Sequence, residues 1–305
     1  MVHKVIIIGS GPAGLTAGIY SARSGFDPIL LAGNQPGGQL TTTTKVENWP
    51  GNTEIMGPQL MMNMQEHAKN YGCQILFDTV EKVDFSKKSY KIVTQDGAEY
   101  LSESVIIATG ASHKKLNIPG EKEYWSKGVS VCATCDAPFF RDKHVVVVGG
   151  GNSAVQEADH IAKFATKVTV VHILDKLTAN DPIKDKVLEN PKISIIYNST
   201  VKEIMGDDQK VTQVLIENQK DKKTETVKTD GVFIAIGMKP NTEIFKDQID
   251  LDSYGFIKQH ENTQTNKKGV FAAGDVCDFI YRQAITAAGQ GCMAALDCEK
   301  YLGRL

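Results

Sequence analysis

The chain lacks an excess of charge of either sign: 34 Lys and Arg stand against 36 Asp and Glu, a formal net charge of −2 over 305 residues. Gripping a phosphate backbone needs clustered excess cations, so nucleic acid is excluded as a partner class. Long apolar runs are missing as well. The N-terminal run Ile6-Ile7-Ile8 meets Gly9 at once, too soon for a secretory signal or a membrane span, so a cytoplasmic location with no membrane partner is expected. Cysteine is scarce, six in all, and in a reducing cytosol Cys73, Cys277, Cys292 and Cys298 are expected as small apolar filler. Zinc-ligand spacing is incomplete: the single Cys-x-x-Cys has neither a second pair nor a spaced His pair to complete four ligands, so no metal is expected. With 41% hydrophobic and 23% charged residues, neither a disordered nor a membrane class is favoured. The length predicts two domains of ordinary size.

That single pair is the chemical centre of the chain, in the stretch Val131-Cys132-Ala133-Thr134-Cys135-Asp136. Two thiols at this spacing can close a disulfide within one turn, and positive potential at a helix start favours the reactive thiolate. Asp136, directly after the second thiol, is placed to carry a proton. Cys132, Cys135 and Asp136 are therefore the catalytic candidates.

Two glycine signatures flank the pair. Residues 4–8 form a β-branched run that meets Gly9-Ser10-Gly11-Pro12-Ala13-Gly14, and residues 13–22 suit a helix. In such a strand-turn-helix the first Gly permits the turn, the second lets backbone approach a pyrophosphate, and the third lets helix and strand pack closely. The acid that often holds a ribose hydroxyl is absent, because the next strand, residues 28–32, ends in Gly33-Asn34-Gln35. The pattern returns after residues 144–148 as Gly149-Gly150-Gly151-Asn152-Ser153-Ala154, 140 residues after Gly9, before a helix over 154–164 and a strand over 167–172. The chain is thus expected to be α/β, with two Rossmann-like three-layer nucleotide-binding domains, each with its own ligand.

Between and beyond these units the pattern is less marked. Residues 36–44 are rich in glycine and hydroxyls without apolar periodicity, and read as a loop, either beside a ligand or simply solvated. The spacing of Leu60, Met61, Met64 and Ala68 predicts a helix over 57–71 with a core-facing Met-rich side. Residues 74–77, 81–85 and 90–94 alternate as strands of an antiparallel insert, with a turn at 95–98. A buried strand over 105–108 leads to Thr109-Gly110-Ala111 and a domain crossing. Further strands are expected over 192–197, 211–217, 225–227 and 232–235, with a hairpin tip at 218–223. Near the C-terminus, a strand over 270–273 runs into Gly274-Asp275-Val276, and a helix is predicted over 283–302. Asp275, at the end of a parallel strand, is placed for a sugar hydroxyl.

Together with Gly37-Gly38-Gln39-Leu40-Thr41-Thr42-Thr43-Thr44, Val46-Glu47-Asn48-Trp49-Pro50-Gly51 and Arg282-Gln283-Ala284-Ile285-Thr286, these motifs make the chain resemble the low-molecular-weight bacterial-type thioredoxin reductases over essentially its full length. The resemblance implies a discontinuous FAD-binding domain, residues 1–112 and 242–305, interrupted by a nicotinamide-nucleotide-type domain, residues 113–241, that carries the redox pair. It implies FAD contacts from Gly9, Gly11, Pro12, Ala13, Gly14, Gln35, Gly37, Gly38, Gln39, Leu40, Thr41, Asn48, Gly110, Gly274, Asp275, Arg282, Gln283 and Ala284. A nicotinamide nucleotide would lie on Gly149, Gly151, Asn152, Ser153 and Ala154. The resemblance also implies a homodimer, a thioredoxin or thioredoxin-like protein as partner, and a flavin domain without the ribose acid, which accounts for Gly33 and Asn34.

One stretch departs from the family. NADPH-using members carry His-Arg-Arg-Asp followed shortly by Arg, where guanidinium groups grip the 2'-phosphate. Here Ile173, Leu174 and Thr178 hold the three Arg positions of His172-Ile173-Leu174-Asp175-Lys176-Leu177-Thr178-Ala179. The expected donors are therefore NADH, NADPH used poorly, or a reduced ferredoxin or flavodoxin reaching the flavin directly. Cys135 is taken as the thiol nearer the flavin, although spacing leaves Cys132 open. The pair cannot face flavin and protein substrate together, so rotation about residues 109–114 and 237–241 is expected. Two rivals stand beside disulfide reduction: a ferredoxin or flavin reductase of the same fold, and a non-catalytic nucleotide-dependent redox sensor.

Overall fold

The β-branched N-terminal run forms strand Val2–Ile8 in the computed structural model, which describes residues 1–43 and 45–303. Thr44, part of the hydroxyl-rich motif, lies outside the described residues. Val2–Ile8 pairs in parallel with Ile29–Leu31 on one edge and with Glu99–Ile107 on the other. Its side chains alternate: Val5 and Ile7 meet helices Pro12–Arg23, Gly57–Asn70 and Ala284–Tyr301, while Ile6 and Ile8 meet Val83, Phe85, Ile92 and Phe245. Both faces of the sheet are covered, and for this reason the strand reads as a continuous apolar run.

The long strand Glu99–Ile107 shares its second edge between two partners. Tyr90–Thr94 pairs antiparallel with its first half and Val270–Ala272 pairs parallel with its second, which stitches the C-terminal segment into the N-terminal sheet. Only residues 80–94 form the expected antiparallel insert, as Val80–Asp84 and Tyr90–Thr94. Gln74–Leu76 instead pairs parallel with Ile29–Leu31 as an edge strand. A three-residue strand with two apolar side chains carries no signal of direction or partner, so the sequence placed it in the wrong set.

Contacts divide the chain into two units, Met1–Ser112 with Lys239–Leu305, and His113–Met238. In the second unit the parallel order is Val129–Ser130, Gly231–Ile234, His144–Val148, Lys167–Val171, Ile193–Ile196. Helix Asn152–Ile161 covers one face through Val145, Val147, Val168 and Phe233. The antiparallel sheet Ser199–Gly206, Val211–Asn218, Thr224–Lys228 covers the other through Val146, Val148, Val232 and Ile234. Each unit is thus three-layered. Strand Ser199–Gly206 and helix Asp181–Leu188 had no legible pattern: register shifts between Val201 and Glu203 break the strand's alternation, and the helix fully buries only Val187. The segments joining the units, Ala111–His113 and Met238–Pro240, pair as a two-stranded ribbon. Among the described residues no helix is long and apolar enough to cross a membrane.

Phe233 is fully buried and meets Phe140 edge-on at 5.2 Å between centroids. Phe233→Ala is expected to cost the second unit about 3–5 kcal/mol in urea unfolding; a loss below about 1 kcal/mol would show that the core refills the void.

Candidate functional site

The first glycine turn is fixed by backbone. Gly9 has φ +111°, and a Cβ there would lie 2.2 Å from the Ala108 carbonyl oxygen, so no larger residue fits. Gly11, the N-cap of helix Pro12–Arg23, has nothing within 4 Å of its missing Cβ, and no side chain caps the helix. Bare backbone and uncapped N–H groups face outward there, as an anionic diphosphate requires.

Against this turn lies the segment read as an irregular loop. It is a 3-10 turn, Gly38–Thr42, stapled by Gln35 Nε2 to the Gly38 carbonyl at 3.0 Å and by Thr41 Oγ1 to the same carbonyl at 2.7 Å. The Gly37 N–H donates to Ser10 Oγ at 3.0 Å, and a Cβ on Gly38 would sit 3.3 Å from Gly11 Cα. Gly37, Gly38, Gln35 and Thr41 are therefore brought together with the first glycine turn. Gln39 Nε2 donates to the Ala111 carbonyl, near Gly110. Ser10, which ties this turn to the Ala32 carbonyl at 2.8 Å, is a contributor that the sequence reading passed over.

Asp275 follows strand Val270–Ala272 by way of Ala273 and Gly274. Burial pushes its carboxyl up to about 6, the nearby Asp278 charge adds to this, and Arg282 opposes it. Asp278 shapes the loop leading into the last helix, accepting the N–H groups of Ile280, Tyr281 and Arg282 at 2.9, 2.9 and 3.2 Å. The chain then enters helix Ala284–Tyr301 through a capping box in which Gln283 and Thr286 exchange bonds. Asn48 Nδ2 reaches Gln283 Oε1 at 3.2 Å. Gly274, Asp275, Arg282, Gln283 and Ala284 thus belong to one loop and helix start, to which Asn48 is bonded through Gln283.

In the second unit Cys132 and Cys135 are joined in a disulfide with Cα atoms 5.3 Å apart. Cys132 caps the single turn Ala133–Asp136, and its carbonyl accepts the N–H groups of Cys135 and Asp136 at 3.2 and 3.1 Å. Asp136 is half-buried; burial raises its carboxyl, and a hydrogen bond from Ser130 works against the shift. The other thiols are unlike this pair. Cys73, Cys277 and Cys298 are pushed up to about 12 by burial, which keeps them protonated and inert. Cys277 and Cys292 are only partly buried.

The second glycine turn repeats the first. Gly149 has φ +136°, with a would-be Cβ 2.3 Å from the Ala235 carbonyl oxygen, and Gly151 caps helix Asn152–Ile161 without a side-chain bond. Gly150 is also required, because a Cβ would lie 2.4 Å from the His172 ring. Here, however, residues 173–180 fold back onto the turn. Thr178 gives both its N–H (2.8 Å) and its Oγ1 (3.2 Å) to the Gly150 carbonyl, and the Asn180 N–H reaches Asn152 Oδ1 at 2.8 Å. Ile173 and Leu174 are exposed beside it. Lys184 is paired with Asp181, and Lys186 with Asp159 at 2.6 Å.

A profile of the pyridine nucleotide-disulphide oxidoreductase family matches residues 3–291. A thioredoxin reductase of Rickettsia felis is 53% identical over 305 residues, covering 99% of this chain and 98% of its own. That of Coxiella burnetii is 49% identical over 312 residues, covering 99% and 97%. The solved thioredoxin reductase from Giardia duodenalis superposes with a TM-score of 0.94 at 45% identity, covering 98% of both chains. With its two carbonyl-locked glycine turns and its closed Cys132–Cys135 bond, the chain belongs to the pyridine nucleotide-disulphide oxidoreductase family, among its thioredoxin reductases.

Proposed function

We propose that this chain is a thioredoxin-disulfide reductase whose working centre is the Cys132–Cys135 disulfide. The observation that carries the reading is the closed bond itself, set beside a carboxyl whose affinity for protons is raised by burial. Reduction adds two electrons and two protons to the pair; passing them to a protein disulfide closes the bond again and releases a dithiol. Asp136 gives and takes the proton at the cysteine sulfurs. FAD, when bound, supplies the electron pair. Its diphosphate fits the bare backbone at Gly11 and the uncapped helix start, and its ribose and ring fit the segment from Asp275 to Ala284. Gly110 and Gly237, both with left-handed φ, lie on the two crossings and serve as hinges. Since the pair is present and the family acts on disulfides, a reductase without disulfide chemistry and a non-catalytic sensor both lose their support.

The protein is expected to act as a homodimer in the cytoplasm. Ile285, Met293 and Leu296 leave an exposed apolar stripe along one side of helix Ala284–Tyr301, which supports a self-association face.

The donor follows from the segment at the second glycine turn. A 2'-phosphate carries nearly two charges, yet the positions that would meet it hold exposed Ile173 and Leu174, the Thr178 hydroxyl is spent on Gly150, and Lys184 and Lys186 are held by carboxylates. Each charge-assisted hydrogen bond forgone is worth about 1.5–3 kcal/mol, or about one to two decades in affinity. NADH, or a reduced ferredoxin or flavodoxin, fits better than NADPH.

Two outcomes are expected. Cys132→Ser or Cys135→Ser should keep FAD absorbance while turnover with thioredoxin falls to background; near-parental turnover in either would show the pair to be structural. In anaerobic stopped-flow reduction of the flavin, NADPH should show no preference over NADH. Saturation at micromolar NADPH with a large preference would show that Lys176 or its neighbours rebuild the phosphate grip.

A further inference from the structure

We infer that Ser130 is a positioning residue for the disulfide chemistry, because its one hydroxyl donates to the Asp136 carboxylate while accepting the N–H of Cys132. The inference rests on Cys132–Cys135 as the redox pair and Asp136 as its proton carrier. The two bonds are 2.5 Å to Asp136 Oδ2 and 3.1 Å from the Cys132 nitrogen. Ser130 is 6% exposed and ends a strand paired in register with Phe233, so its backbone is held by the sheet. A buried serine on a strand ordinarily satisfies its hydroxyl on a nearby backbone carbonyl. This one reaches six residues along the chain to a side chain, and ties the proton carrier to the first cysteine.

The same bond sets when the carrier works. Asp136 accepts a proton only when ionised; burial disfavours that form, and a hydroxyl donated to the carboxylate favours it. The elements packed on this turn are the 3-10 turn Ala137–Phe140, which has no ionisable side chain, and helix Asn152–Ile161, which carries Glu157, Asp159 and His160. The neighbouring strand Gly231–Ile234 also has none. The shift on Asp136 has two causes, burial and Ser130.

The step balances with an aromatic disulfide as oxidant. One cysteine thiolate attacks a sulfur, forming a mixed disulfide and releasing one arylthiolate. The second cysteine thiol passes its proton to the Asp136 carboxylate and its sulfur attacks the first, closing Cys132–Cys135 and expelling the second arylthiolate. Asp136 then returns the proton to solvent. The dithiol has lost two electrons and two protons; the electrons leave on two arylthiolates and the protons end in solvent.

The test uses the FAD-loaded full-length chain, reduced with a dithiol, desalted, and mixed anaerobically with 5,5'-dithiobis(2-nitrobenzoate) between about pH 5 and pH 9. The attacking thiolate gives a limb of its own, so the limb assigned to Asp136 is the acidic component that Asp136→Asn removes from the pH–rate profile. Ser130→Ala should move that limb to higher pH by about one pH unit, since the lost bond had stabilised the carboxylate. Ser130→Thr, which keeps the hydroxyl, should restore it. The infrared carboxyl band lost in Asp136→Asn should titrate with the same shift, independent of any rate, and retained flavin absorbance checks the fold of each variant. An unmoved limb in Ser130→Ala, or an equal shift in Ser130→Thr, overturns the inference alone. An acidic limb left unchanged in Asp136→Asn overturns the proton-carrier reading, and the inference with it.

Discussion

A backbone carbonyl standing where a side chain would begin is the contact on which both halves of this protein depend. The Ala108 oxygen occupies the Cβ position of Gly9, and the Ala235 oxygen that of Gly149, at 2.2 and 2.3 Å. Each carbonyl comes from the end of the parallel strand beside the turn, so strand, turn and helix are locked at one point. That lock sets an uncapped helix start at the strand ends, which is where an α/β sheet offers a diphosphate site. The repeat visible as two glycine signatures is therefore also a repeat of tertiary contact.

What distinguishes the two turns lies outside the glycines. At the first, Gly37 and Gly38 bring a second loop against the turn while Gly11 stays open. At the second, Thr178 and Asn180 lean on Gly150 and Asn152, and two apolar side chains, Ile173 and Leu174, are exposed beside them. Electrostatics separates the cysteines in a similar way. Burial raises Cys73, Cys277 and Cys298 beyond reach of ionisation at neutral pH, whereas Cys132 and Cys135 are half-buried beside a carboxyl and joined to each other. Asp136 is raised by burial, so its ionised form is the costly one and is lost as pH falls through its folded value.

Features governed by adjacent residues were legible in the sequence: both glycine turns, the Cys pair with Asp136, the Met-rich core face of helix Gly57–Asn70, and the helix after Gln283. Features governed by distant partners were not. Gln74–Leu76 has the residues of a strand, but its parallel partner, Ile29–Leu31, lies more than forty positions earlier. Residues 36–43 have no periodicity because their order comes from side chain to backbone bonds within a 3-10 turn and from Ser10. Ser130 sits two residues before Cys132 in plain view, yet a serine gives no sign of which group its hydroxyl will meet. The apolar substitutions at Ile173 and Leu174 were visible; the Thr178 staple that holds their segment down was not.

The central claim is that one flavin and one disulfide in each chain exchange electrons. Anaerobic reductive titration of the FAD-loaded protein, followed at the flavin absorbance band, tests it most directly. The account predicts uptake of two electron pairs per chain, one for the flavin and one for Cys132–Cys135, falling to one pair in the Cys135→Ser variant. Uptake of a single pair by the unaltered protein, with Cys132–Cys135 still closed once the flavin is fully reduced, would contradict it.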